Sequence, residues 1–215
     1  MRQMKWEARI SGANLFWISA LVAGLLSLMC AFGGDLAALS FVSYEVLYPF
    51  YAAIAVTEWG KIRTDPIFDI AAAQSRSLFL WIVVRFACVF LAVSGIAAIG
   101  IWGAQVLREE AGYGELLWVY GSTALFFASF GTLVSLLSRV EHLSAALTGM
   151  VWLFFLAARA IVETSPATRY FYPFMRLVAP ADSIWILNKW VLLALSGLFW
   201  AGIWRVCRTR RLIQD

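Results

Sequence analysis

Charge is what this sequence has least of. Asp, Glu, Lys and Arg together make up 14% of its 215 residues, against about a quarter in ordinary soluble domains. A chain so poor in charge cannot clothe itself in hydrated side chains, which excludes a self-standing soluble domain. Histidine occurs once, as His142, so no multi-histidine metal site can be assembled. The three cysteines, Cys30, Cys88 and Cys207, show no CxxC or Cys/His ligand spacing and read as small apolar packing residues. The HExxH pair of zinc hydrolases and the GxSxG nucleophile elbow are missing. So is a phosphate-binding loop, because Gly60-Lys61 is followed by Ile62 and preceded at the required place by Ala55. The chain is therefore not expected to hydrolyse ATP by itself, and it offers no catalytic residue and no metal site.

What fills the chain instead is apolar side chain, 62% of all residues. It is gathered into six runs, 15–33, 36–57, 78–103, 116–137, 143–162 and 184–206. Each is near or above the roughly 18–20 residues that a helix needs to cross about 30 Å of hydrocarbon. The pattern predicts an all-α polytopic membrane protein, a single domain over 1–215 with six transmembrane helices. The first run has no small-residue cleavage site followed by a soluble chain, so it reads as a span and not as a signal peptide.

Basic residues set the expected orientation. With the N-terminus cytoplasmic, Arg2, Lys5, Arg9, Lys61, Arg63, Arg76, Arg139, Arg205, Arg208, Arg210 and Arg211 fall inside. Only Arg108, Arg169, Arg176 and Lys189 fall outside, which satisfies the positive-inside rule. The expectation is a multi-pass protein of the cell membrane with both termini cytoplasmic. Its RVCRTRR tail would lie against anionic lipid headgroups, and it has no nucleic-acid patch.

Between the runs the chain carries its punctuation. Residues 1–14 mix charge with Met, Trp and Ile and predict a short interfacial helix, with Trp6 at headgroup level. Gly33, Gly34 and Asp35 make the first connection a tight turn. Pro49 should kink the second span or mark an unwound stretch. Glu45 lies one turn before it, about ten residues in from Asp35 and so roughly 15 Å deep. An intramembrane carboxylate is expensive and faces a cavity or a partner. Two readings stay open: a translocation-path or gating residue together with Tyr44, Tyr48 and Pro49, or an internal hydrogen bond to a neighbouring helix involving Tyr44 or Tyr48.

The polar interruption 58–77 predicts a short helix over 64–77. Asp65 followed by Pro66 is an N-cap acceptor with proline at the first helical position. Asp69 near the start and Arg76 near the end suit the helix dipole. Ile67, Phe68 and Ala71 share one face, with Ile70 at its edge. About ten residues cannot cross a bilayer, so this helix should lie flat at the cytoplasmic surface. The alternative is a solvated linker. His142, in the short link before the fifth run, reads as a polar cap or, beside Glu141, a proton-handling group. The segment 163–183 holds Pro166, Pro173 and Pro180 among Tyr170, Phe171, Tyr172 and Phe174. It predicts one or two short helices dipping into the outer leaflet, or a lid packed on the outer face, with Asp182 capping the last span.

These features together resemble an ABC-2 type transporter permease over nearly the full length. The carriers of the resemblance are about six spans, a basic interfacial N-terminus and an interfacial element before the last span. The local carriers are Glu58 at the inner end of span two, the short helix 65–73 and Ser75-Arg76 before span three. Members of that family often place Leu-Leu and a proline before the Ser-Arg, where this chain has Ala71-Ala72-Ala73-Gln74. The resemblance implies a permease paired with an identical or sister chain and served by two cytoplasmic ABC ATPase subunits, which would hold the ATP and Mg. Pro66, Ile67, Phe68, Asp69 and Ile70 would contact the ATPase, following Asp65 and framed by Glu58 and Arg76. Export of an amphipathic peptide, lipid-like or drug-like substrate is implied by that analogy. An ion-coupled secondary transporter, or a membrane scaffold that transports nothing, are the alternatives.

Overall fold

The computed structural model describes residues 2–33, 38–65, 68, 78–107, 112–140, 142–160 and 166–209, with side chains described from residue 14 onward except at Pro166. Among these residues every regular element is helical. Helix α1 is Arg2–Phe32 and α2 is Leu39–Trp59. Next come α3, Leu78–Leu107, α4, Tyr113–Leu137, and α5, Leu143–Ala157. Two four-residue helices, α6 (Pro166–Arg169) and α7 (Met175–Val178), precede α8, Ile184–Arg208.

Five of these helices are long and apolar enough to cross a membrane: 14–32 within α1, and α2, α3, α4 and α8. Helix α5, at 15 residues, is about 22 Å long and is apolar but shorter than the others. Its α-helical turns close at Ala158, whose N–H donates to Phe154 O at 2.8 Å, and residues 159–160 are helical again. The separate N-terminal interfacial helix expected over 1–14 is not seen as such, since residues 2–13 continue directly into the first spanning helix.

Helices α2 and α4 form the centre, with 72% of the spanning window of each buried, against 17% for α8 at the periphery. Helix α1 packs mainly on α3, while α4 packs on α2, α8 and α5. Close approach depends on two glycines. A Cβ at Gly131 would meet Thr57 of α2 and Thr148 of α5. A Cβ at Gly100 of α3 would meet Tyr44 of α2 and Ala23 of α1. Small residues at helix crossings are how membrane bundles gain dispersion contact in the absence of a hydrophobic drive between helices. Leu21, Leu25, Leu91, Ile99 and Leu198 point outward, as lipid-facing side chains must. Trp102, Trp118, Trp185 and Trp190 lie near helix ends opposite those of Trp17, Trp59, Trp81 and Trp204, two aromatic bands of the kind found at membrane interfaces.

The two ends of the bundle differ in chemistry. One end, here the basic end, carries Lys61, Arg63, Arg139, Arg205 and Arg208. The opposite end carries α6, α7 and the start of α8.

Candidate functional site

Glu45 sits where α2 departs from α-helical geometry. Residues Val42–Leu47 form wider π-helical turns, closed by Tyr48 N–H donating to Ser43 O. Pro49 follows directly and accounts for the departure. It has no N–H to give the preceding turn, and its ring crowds the carbonyl four residues back. The kink read from Pro49 is thus a widened stretch just before it. Trp152 of α5 donates its indole N–H to Val46 O at 3.1 Å, satisfying a carbonyl in these turns.

The carboxylate of Glu45 is fully buried and paired with an equally buried ammonium. Lys189 Nζ of α8 lies 2.7 Å from Glu45 Oε1, with both side chains at 0% exposure. Lys189 also donates to Thr123 Oγ1 of α4 at 2.9 Å and to Pro173 O at 2.6 Å. Three acceptors thus meet the three ammonium protons. Glu45 in turn accepts the backbone N–H of Arg176 at 3.1 Å on Oε1 and of Leu177 at 2.7 Å on Oε2. Asn188, next to Lys189, completes the grip from α8. Its Nδ2 donates to Arg169 O, Tyr170 O and Tyr172 O at 3.1, 2.9 and 2.9 Å.

The logic of this arrangement is backbone satisfaction. The stretch between α6 and α7 is not helical, and Tyr172, Phe174 and Met175 are buried. Non-helical backbone at such depth needs partners from the protein itself. Carbonyls of Arg169, Tyr170, Tyr172 and Pro173 find donors on α8, and N–H groups of Arg176 and Leu177 find an acceptor on α2. Phe174 fills the space beneath, with its ring 6.1 Å from Phe127 and 6.5 Å from Trp152. Nearer the surface, Arg176 Nε donates to Glu115 of α4 and Nη1 to Pro180 O at 2.8 Å. Its guanidinium lies over Phe41 at 4.6 Å and Trp185 at 5.4 Å. Asp182 Oδ1 accepts the Ile184 N–H at 3.0 Å, at the start of α8, as the sequence led one to expect.

Tyr44 and Tyr48 do not meet Glu45 as the sequence reading expected. Tyr44 Oη lies 3.1 Å from Ser27 Oγ of α1, and Tyr48 Oη donates towards Ser19 O at 3.4 Å and Val93 O at 3.3 Å. Adjacent helical residues point about 100° apart, so the tyrosines face α1 and α3 while Glu45 faces α8. Lys189 is the larger correction. It is not an outer flanking charge but lies inside the bundle, because Glu45 offers it a counter-charge that the surrounding hydrocarbon cannot. Thr123, Asn188, Arg176 and Glu115 escaped notice as site residues as well. An Asn-Lys pair inside an otherwise apolar run, in a chain with one other intramembrane carboxylate candidate, was the available signal.

At the basic end, Asp65 pairs with Arg85 of α3, their side chains 10% and 6% exposed. Asp65 O also accepts the Phe68 N–H at 2.9 Å, while Pro66, Ile67, Asp69, Ile70 and Arg76 lie outside the described residues. The Phe68 ring, placed by the sequence reading on a face offered to a soluble partner, is instead buried against Ile62, Ile82, Leu136 and Ile203. Its apolar area is better removed from water inside this chain than left open. Glu58 ends α2 beside Lys61 at 3.6 Å and His142 Nδ1 at 3.0 Å. His142 stands at the N-cap position of α5 with φ of 60° but its side chain makes no cap bond and turns to Glu58, while Glu141 lies outside the described residues.

Comparison with protein-family models, with curated proteins and with solved structures finds no match to this chain.

Proposed function

We propose that this chain is the transmembrane permease subunit of an ATP-driven ABC transporter of the ABC-2 type, with hydrolysis carried out by separate ATPase subunits that hold ATP and Mg. The observation that carries the reading is the polar anchoring at both ends of α2. At the basic end, Glu58 ties α2 to His142, and Asp65 ties the link that follows to Arg85. At the other end, Glu45 ties α2 to α7 and α8. A helix gripped in this way transmits displacement of the link to the segment before α8, which is what a permease driven from the cytoplasm requires.

In this reading the basic end faces the cytoplasm of a cell-membrane protein, α5 completes six spans, and the chain works with a second permease, identical or sister. The link 64–77 meets the ATPase through residues other than Phe68. The substrate is amphipathic, a peptide, lipid-like or drug-like molecule, moved outward. Affinity purification of the tagged chain from its native host tests this. A stoichiometric soluble ATPase supports it. A chain that purifies without one, from membranes whose transport ignores ATP, overturns it in favour of an ion-coupled carrier or a scaffold. The carrier reading draws on Glu45 itself, but there a coupling ion would have to displace Lys189 from a site whose acceptors are already taken.

A further inference from the structure

We propose that residues 166–183 are a movable gate element, held closed by a latch made of Glu45, Lys189 and Asn188, with Phe174 as its stopper. This rests on the transporter reading for its purpose. The observations that carry it concern the described residues alone.

The backbone of the segment is held by side chains of spanning helices, and nearer the surface its Arg176 side chain is held by Glu115 of α4. Asn188 holds the carbonyls of Arg169, Tyr170 and Tyr172, Lys189 that of Pro173, and Glu45 the N–H groups of Arg176 and Leu177. The segment's own regular structure amounts to two four-residue helices, too short to hold themselves in place. Six of its backbone groups are thus held by three side chains on two helices, while Thr123 and Glu115 of α4 add a bond to Pro173 O and one to the Arg176 side chain. Both helices must keep their relation for the latch to hold, because Glu45 lies on α2 and Asn188-Lys189 on α8. The Glu45–Lys189 contact is the only element of the latch that joins α2 to α8 directly by charge. Glu45 lies in the π-helical turns before Pro49, and such turns within a helix are frequent at functional sites. A shift of α2 that separates Glu45 from Lys189 withdraws the acceptor from Arg176 and Leu177 at the same moment. The segment is then free to lift Phe174 off Phe127 and Trp152, and Thr123, Asn188 and Lys189 become accessible beneath it.

The test is cysteine accessibility in the full chain in lipid nanodiscs, where both faces are open to a soluble maleimide and no ATPase is needed. Its failure is thus distinguishable from failure of the transporter reading. Cys30, Cys88 and Cys207 are first replaced by Ala, and Met175→Cys or Ala52→Cys is added as a reporter, which leaves Phe174 in place. Met175 is 1% and Ala52 0% exposed, and Ala52 lies away from the gate. In the parent both should label slowly. Lys189→Met, and separately Asn188→Leu, should speed labelling at residue 175 by at least about tenfold while leaving residue 52 within about twofold, as expected of local opening. Labelling at 175 that stays within about twofold of the parent overturns the latch. Equal acceleration at 175 and 52 also overturns it, since the pair would then be a general stabiliser of the fold.

Discussion

Replacing Lys189 by methionine asks the most of the buried pair. Methionine keeps most of the stem volume and removes the ammonium, so packing is nearly conserved while Glu45 loses its counter-charge. The carboxylate would retain the N–H groups of Arg176 and Leu177, but Thr123 Oγ1 would lose the ammonium and Pro173 O would keep only the Thr123 hydroxyl at 3.4 Å. Removing one partner of a buried pair costs about 3–5 kcal/mol. Each kcal/mol moves the melting midpoint of a chain of this length by about 2–4 °C, so the loss should be roughly 6–20 °C. The assay is the temperature at which the detergent-solubilised protein loses its monodisperse peak in size-exclusion chromatography. Glu45→Gln has one amide oxygen for two N–H groups now met by separate carboxylate oxygens, leaves an unpaired ammonium and should also lose stability. In the Glu45→Gln, Lys189→Met double variant neither charge is stranded. The double loss should therefore fall short of the sum of the singles by about 2–3 kcal/mol of coupling. Strictly additive losses, or a Lys189→Met midpoint within about 2 °C of the parent, would refute the argument that the two charges stabilise one another.

Asn188→Leu removes the donor to three carbonyls and should cost about 1–3 kcal/mol or more, read by the same melt. Pro49→Ala restores an N–H to α2. Contrary to the usual gain on removing a helix-interior proline, it should destabilise by about 1–3 kcal/mol, because narrower turns would swing Glu45 away from Lys189. Gly131→Leu should push α4 from Thr57 and Thr148 and lower the yield of folded protein, with a cost of about 1–3 kcal/mol or more. Arg85→Met should remove a buried counter-charge from Asp65 and raise the rate of limited proteolysis within 60–77, whereas His142→Ala, at an exposed pair, should change the melt by no more than about 1 kcal/mol.

The membrane character of the chain was legible because it is a property of composition and run length. Hydrocarbon demands unbroken apolar helices, and 14–32, α2, α3, α4 and α8 declare themselves one residue type at a time. Pro49 declared its break in α2 for the same reason, since a missing N–H is a local fact. So did Asp182 before α8. The segment before α8 was legible as irregular, from its prolines and aromatics, and Glu45 as costly. None of these readings needs a neighbour from elsewhere in the chain.

What Glu45 does could not be read in this way. Its partners are the N–H groups of Arg176 and Leu177 on α7 and Lys189 on α8, and Lys189 is 144 residues away in sequence. Looking along one helix, Tyr44 and Tyr48 were the nearest polar groups, yet a helix turns them towards α1 and α3. Phe68 likewise belonged, by periodicity, to an apolar face without an owner, and only the arrangement of Ile62, Ile82, Leu136 and Ile203 around it decided that the owner is this chain. Composition and periodicity determined that the chain is a helical membrane protein with a broken second span and an irregular stretch before the last helix. Tertiary structure alone decided which charge neutralises which, because a buried ion chooses its partner by distance in a medium without water, and that distance is set by how the helices pack.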